Sequence, residues 1–335
     1  MSQNSSGHIS QADLEEHIRE IGGNRYRLKD ISRISDRGAQ KAVYKLNCTE
    51  GLCLILFVWD LSANYFEQDL REGGVTDASY GALQFETNTR LLSQIGVRVP
   101  AIRYINRERR RYPFDYAIVE YVSGMNLEAC EEATADVRER DGIYGDLAEM
   151  LQAMHGSCGK AWGKAQPGGE AHHQAPANPC HKQIYDHALR ELAFTVPRIQ
   201  QSEWKEHQIM KHLEHLMTGI QPREQYGFIH GELGPDHVLV NERNEPYLID
   251  IEGAEYFDIE HEHSFMQFRF GGQYERYLQR SGLDPNRMRF YKFHHHLSCT
   301  AGGLKLLERG FPNVKLAGLI YESNRKSVLE MMKSG

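Results

Sequence analysis

The chain has 335 residues, 39 basic against 46 acidic side chains, a net charge of −7 and 40% hydrophobic residues. This is enough for a large core or two lobes, it is ordinary globular composition, and the negative balance argues against a nucleic-acid backbone as main partner. Cys48, Cys53, Cys130, Cys158, Cys180 and Cys299 form no CxxC pair, the start "MSQNSSGHIS" lacks an apolar signal core, and the longest apolar run, "LCLILFVW", is too short to span a bilayer. Reduced thiols, a cytoplasmic location and no membrane partner are therefore expected.

In chain order, residues 1–10 read as a tail, and "ADLEEHIREIG" (12–22) as a helix with a glycine stop. "AVYKLNC" (42–48) and "LCLILFVW" (52–59) flank the turn "TEG", which predicts a hairpin whose second strand is buried on both faces. "ALQFETNTRLLSQIG" (82–96) has a helical apolar stripe, and "VPAIRYIN" and "YAIVEYVSG" read as strands. Thereafter helices dominate: "YGDLAEMLQAMHG", "KQIYDHALRELAFTV", "EWKEHQIMKHLEHLM", "RMRFYKFHHHLSCTAGGLKLLERG" and "KLAGLIYESNRKSVLEMMK". Residues 159–180, rich in Gly, Ala and Pro, read as a long surface loop.

One strand-like island interrupts this helical half. In "FIHGELGPDHVLVNERNEPYLIDIEGAEYFD" (228–258), "HVLV" and "PYLIDI" are joined by the turn "NERNE". Their ends carry Glu232, Asp236, His237, Asp250 and Glu252. Acids and a histidine converging at strand ends can hold a divalent cation through hard oxygens and leave one carboxylate to accept a proton.

"HGELGPDHVLV…YLIDIE" resembles the catalytic segment of the aminoglycoside phosphotransferase and choline kinase superfamily, a branch of the protein-kinase fold, which reads H-G-D-x-x-x-x-N, a hairpin, then I-D-W-E. "FETNTRLLSQIGVRVPAIRYI" is similar to its helix–strand pair, "IVEYVSG" to its hinge and "LAEMLQAMHG" to its L-A-x-x-L-x-x-L-H helix, in the same order. The resemblance implies an α+β, two-lobed kinase-like fold. Its parts would be a tail and helix (1–24), a nucleotide-binding N-lobe (25–125) and a catalytic, substrate-binding C-lobe (126–335). It implies ATP and Mg²⁺ as cofactors, Glu232 as catalytic base, Asp250 and His237 as metal ligands, and Glu86 and hinge Glu120 on the nucleotide side.

Three departures from the family pattern matter. Glu232 replaces Asp, which moves the base by about 1.5 Å. His237 replaces Asn, a softer ligand for Mg²⁺. Phe57 stands where the third-strand lysine is expected, and no lysine lies between Lys45 and Gly96. "DRGAQKAVYKL" (36–46) resembles the glycine loop of the with-no-lysine kinases, in which the next strand supplies the cation. This places Lys41 on the phosphates, with Gly38 the loop's single glycine and Glu86 positioning the lysine.

Each residue also has a plainer reading: Lys41 and Glu86 solvated, His237 packed, Glu232 in a structural ion pair, Asp250 capping a turn. The expected activity is phosphoryl transfer from ATP to a small-molecule hydroxyl. The alternatives are a Ser or Thr of a peptide in a biosynthetic pathway, or a pseudokinase scaffold. The acidic run 252–262 reads as a solvated face or as the contact for a cationic acceptor. His294–His296 on one helix point three ways and so do not form one ligand set, and His172, His173 and His181 with Cys180 lack ligand spacing. Oligomeric state is left open.

Overall fold

The computed structural model describes residues 7–34, 40–73, 80–133, 136–167, 179–199 and 204–334. Gly38, His172 and His173 lie outside them. Helix α1 (Gln11–Gly22) starts where the Ser10 side chain accepts the Asp13 amide and stops at Gly23, whose φ is 87°. Strands β1 (Leu28–Arg33), β2 (Ala42–Cys48) and β3 (Cys53–Trp59) follow, the last two joined through Thr49–Gly51 as the spacing predicts. Next come α2 (Glu67–Glu72), α3 (Ala82–Gln94), β4 (Ile102–Asn106) and β5 (Asp115–Glu120). The strands form one antiparallel sheet in the order β1-β2-β3-β5-β4.

The expectation that β3 is buried on both faces needs correction. Leu54, Leu56 and Val58 pack with Leu14 and Ile18 of α1 in a closed core, whereas Cys53, Ile55 and Phe57 are only half-buried on the opposite face. An all-apolar strand cannot show this asymmetry in its composition, because one face seals a core and the other roofs a cleft.

The C-terminal part is mostly helical: β6 (Gly124–Asn126), α4 (Leu127–Ala133), α5 (Val137–Gly156), β7 (Cys158–Gly159), α6 (Cys180–Thr195), α7 (Glu206–Thr218), β8 (Tyr226–Ile229), β9 (Val238–Asn241), β10 (Pro246–Leu248), β11 (Glu255–Phe257), α8 (Ile259–Arg269), α9 (Pro285–Glu308) and α10 (Val314–Ser334). The predicted hairpin is β9–β10, but it is not an isolated island. It joins β6, and β11-β8-β7 make a second small sheet. These added strands are too short to display period-two alternation and pair with partners distant in sequence. Gly124 makes the β6–β9 approach possible: a Cβ there would fall 1.9 Å from the Val240 carbonyl oxygen.

The segment between β3 and α3 reaches across to the end of α9. Asp69 pairs with Lys305 at 2.8 Å and Arg309 at 2.6 Å, and the Tyr65 ring meets Phe311 edge-on at 5.3 Å. All six cysteines are free thiols, and among the described residues no helix is long and apolar enough to cross a membrane.

Candidate active site

The loop after β8 is held by its backbone. Glu262 of α8, fully buried, accepts the amides of His230 (2.8 Å) and Gly231 (3.1 Å) and bonds the His155 ring. Hydrogen bonding and positive charge from His155 outweigh burial and hold the Glu262 carboxyl below its ordinary value. His230 Nε2 donates to the Ile249 carbonyl at 2.8 Å, tying this loop to the end of the hairpin. Gly231, at φ 93°, makes the turn that leaves Glu232 exposed, and among the described residues no side chain pairs with its carboxylate. The Glu232 carbonyl instead accepts from His237 Nδ1 at 2.8 Å.

That bond fixes the His237 tautomer. With Nδ1 protonated, Nε2 keeps a lone pair, and it faces Asp250 Oδ2 at 3.7 Å. The separation is too long for a hydrogen bond and suits two ligands turned toward a common cation. Asp250 itself has φ 61°, an uncommon conformation for a residue with a Cβ, at the sharp turn into Ile251–Gly253.

Lys41 reaches this point from the residue just before β2. Its ammonium bonds Asp250 Oδ1 and lies 2.6 Å from Glu252 Oε1. It also sits 5.1 Å from the centre of the Phe57 ring. Glu252 is anchored by the Trp59 indole N–H at 3.1 Å, and its other oxygen, Oε2, is buried without a hydrogen-bond partner among the described residues. The Lys41 charge, more than burial opposes it, drives the Asp250 carboxyl far below the usual carboxylate range. For Lys41, burial favours the neutral amine, but the two carboxylates outweigh it and raise its pKa.

Alternation puts Lys41, Val43 and Lys45 on one face of β2. Lys45 sits further along, 4.0 Å from the centre of the Tyr121 ring just past β5. The expected Lys41–Glu86 pair does not form: Glu86 bonds Arg107 at 3.2 Å and Arg90 at 3.4 Å, and Glu252 takes its place beside Lys41. Glu86 sits on α3 beside two arginines, whereas Glu252 lies on the turn that also presents Asp250. Glu120 ends β5, and its carboxylate accepts the Ala101 amide at 3.2 Å.

Two positioning residues gave no signal in the sequence. Asn88 of α3 donates to the carbonyls of Ile251 (2.7 Å) and Ala254 (3.0 Å), clamping the turn that follows Asp250. Tyr80 donates to the Gln40 carbonyl and accepts from Asn64 at 2.8 Å; burial pushes its phenol up to about 12.

Beyond Glu252, which lies beside Lys41, the later part of the acidic run is neither a solvated face nor a wall of the cleft. Asp258, Glu260 and Glu262 are buried. Arg223 bonds Glu260 at 2.9 and 3.0 Å, Arg287 bonds Asp258 at 2.9 Å, and Glu262 holds the loop after β8. The arginines come from elsewhere in the chain and neutralise these acids. Asp236 is likewise paired, with Arg269 at 2.6 Å.

A sheet-rich N-terminal part and a helical C-terminal part, with this cluster between them, make a protein-kinase-like fold. The sequence matches the phosphotransferase enzyme family (APH) over residues 76–291, and the chain belongs to that family. Among solved structures it is similar to choline kinase LicA from Streptococcus pneumoniae, at 13% identity and TM-score 0.60, covering 96% of this chain and 100% of that one. It is also similar to a thermostable mutant of aminoglycoside phosphotransferase APH(4)-Ia in ternary complex with ADP and hygromycin B, at 15% identity and TM-score 0.58, covering 95% and 98%. A putative fructosamine-3-kinase from Thermobifida fusca aligns at 14% identity and TM-score 0.53, covering 97% and 98%. A search of curated proteins returned no match.

Proposed function

We propose that the protein transfers the γ-phosphoryl group of ATP to a hydroxyl of a small molecule. The observation that carries this reading is the convergence of Lys41, His237, Asp250 and Glu252, from three separate stretches of chain, with His237 bonded to the backbone of the exposed Glu232. The ADP and hygromycin B held by the aminoglycoside phosphotransferase structure support a nucleotide and a small hydroxylated acceptor here.

Lys41 supplies the phosphate-binding cation. Its ammonium has three donors, of which Asp250 and Glu252 use two, so one remains for a phosphate oxygen. Asp250 and His237 fit Mg²⁺, since one offers hard oxygens and the other a free Nε2 lone pair, and the orphaned Glu252 Oε2 adds a further oxygen donor. The chemistry that bound Mg²⁺ supplies is neutralisation of phosphate charge. Glu232 orients the acceptor hydroxyl and takes its proton; the rest of catalysis is positioning. Tyr121, past the end of β5, borders the nucleotide side under Lys45.

The test is Mg²⁺-dependent turnover of labelled ATP across a panel of hydroxylated compounds. Asp250→Asn is expected to abolish turnover with the fold intact, and Glu232→Gln to lower it by roughly 10²–10⁴. No Mg²⁺-dependent turnover by the native chain would leave a nucleotide-binding scaffold as the better reading, and full activity in both variants would remove the roles given to Asp250 and Glu232.

A further inference from the structure

The histidine run on α9 does not act alone. His296 is turned away, its Nδ1 bonded to Asn324 Oδ1 at 2.8 Å. His294 and His295 project about 100° apart around the helix axis, and the neighbouring α8 brings His261 between them: its ring centre is 4.4 Å from that of His295 and 6.1 Å from that of His294. A ring nitrogen of each of the three lies within 4.8 Å of the others.

The hydrogen bonds around the cluster assign the protons. His295 Nε2 donates to the His261 carbonyl at 2.8 Å, which leaves its Nδ1 with a lone pair. On α6, His187 Nε2 faces the Glu191 carboxylate at 3.4 Å, itself bonded by Lys305 at 2.9 Å. The proton on His187 Nε2 makes its Nδ1 an acceptor, and His294 Nε2 meets it at 3.0 Å. His294 is thereby a donor on Nε2 and keeps a lone pair on Nδ1. That Nδ1 and the Nδ1 of His261 are buried and have no hydrogen-bond partner among the described residues, although His294 as a whole is only 4% exposed. Unpaired polar atoms in an interior need an explanation. Outer hydrogen bonds to a carbonyl and to a carboxylate-linked imidazole are what orient histidine ligands on a metal.

We propose that His261, His294 and His295 form a metal site for a borderline divalent cation of the Zn²⁺ class, separate from the phosphate-transfer centre. The donors are all imidazole nitrogens, which select Zn²⁺, Co²⁺, Ni²⁺ or Cu²⁺ over Mg²⁺ or Ca²⁺. Among the described residues no arginine or lysine bonds the three rings, and their walls are the aromatic rings of Phe257, Tyr291 and Phe265. The other buried cluster, Cys180, His181 and Asp258, differs on the decisive point: Arg223 and Arg287 already occupy Asp258. The cation would brace α8 against α9, and α8 is the helix whose Glu262 holds the catalytic loop.

The experiment titrates Zn²⁺ into the chelator-treated full chain by competition with a chromophoric chelator, in excess Mg²⁺, and records the visible spectrum with Co²⁺ in its place. One equivalent is expected to bind, with a four-coordinate nitrogen-type Co²⁺ spectrum and a higher melting temperature. His261→Gln and His294→Asn are each expected to weaken binding at least tenfold, and the exposed His215→Gln to leave it unchanged. Less than one equivalent on the native chain would overturn the site. So would undiminished binding in whichever of the two variants keeps the native circular-dichroism spectrum. Loss of ATP turnover has no bearing on either readout.

Discussion

Lys41 carries its charge into a cleft where Phe57 occupies the position of the family's lysine, and the Phe57 ring is packed edge-on against Trp59 and Phe85 at 5.9 and 5.6 Å. Removing Lys41 deletes a charged donor and leaves Asp250 and Glu252 facing any phosphate without compensation. Lys41→Ala is expected to weaken ATP binding by about 10- to 100-fold, the worth of one charged hydrogen bond. Lys45→Ala should cost less than about threefold, because Lys45 rests on Tyr121 rather than on the acids. Adding Phe57→Lys to Lys41→Ala should restore little, since the new side chain enters an aromatic pocket. Nucleotide titration calorimetry checks all three, and equal losses from the two lysine variants would remove the special place given to Lys41. That Lys41 enters the cleft could be read from the resemblance of its loop to that of the with-no-lysine kinases, since alternation alone puts Lys45 on the same face. That it pairs with Glu252 rather than Glu86 could not, because nothing local distinguishes a glutamate flanked by Arg90 and Arg107 from a free one.

At the scale of elements, the legible pieces are those with enough turns or alternations to show a period, or with turn residues between apolar runs: helices α1, α3, α5, α6, α7, α9 and α10, strands β4 and β5, and the β2–β3 and β9–β10 hairpins. Helix α8 went unseen because its Glu260 and Glu262 look like a solvated face until Arg223 and the catalytic-loop amides are brought against them. Helix α2 is too short to be read from periodicity, yet it ties the N-terminal sheet to α9. Burial opposes ionisation of Asp69, but its bonds to Lys305 and Arg309 outweigh this and lower its pKa. Asp69→Asn is expected to cost about 1–2 kcal/mol, discounted for partial exposure. It should also raise protease cleavage between Leu61 and Gly73, with Lys305 still held by Glu191. An unchanged melting temperature together with an unchanged digestion pattern would show that this strap carries no load.

For the whole molecule, buried titratable groups set the response to acid. Burial lowers the pKa of His181 and of His212. Each is neutral when folded and takes up a proton in the unfolded chain below about pH 6.5. The unfolded state then binds more protons, so stability rises with pH through that window and falls as pH drops below it. Asp69 and Asp284 have lowered carboxyl pKa values, because hydrogen bonds and arginine or lysine charges outweigh burial. Their contribution is fully present above the unfolded carboxylate value of about 4 and is lost as pH falls further. The urea midpoint is therefore expected to be flat from about pH 8 to 7, to decline from about pH 6.5 and to fall more steeply near pH 4. A midpoint that rises on acidification from pH 7 to 5 would contradict this assignment.

The sequence by itself determined the long helices, the hairpins and their order along the chain. Each of these is written in residues a few positions apart, where helical and strand periods and turn chemistry act directly. The tertiary structure decided which charges meet. Lys41 and Asp250 are 209 residues apart, His155 and Glu262 are 107 apart, and His261 reaches His295 only because α8 packs on α9. Such pairs depend on how whole elements pack and on which acids find a buried arginine, and local periodicity carries no record of either.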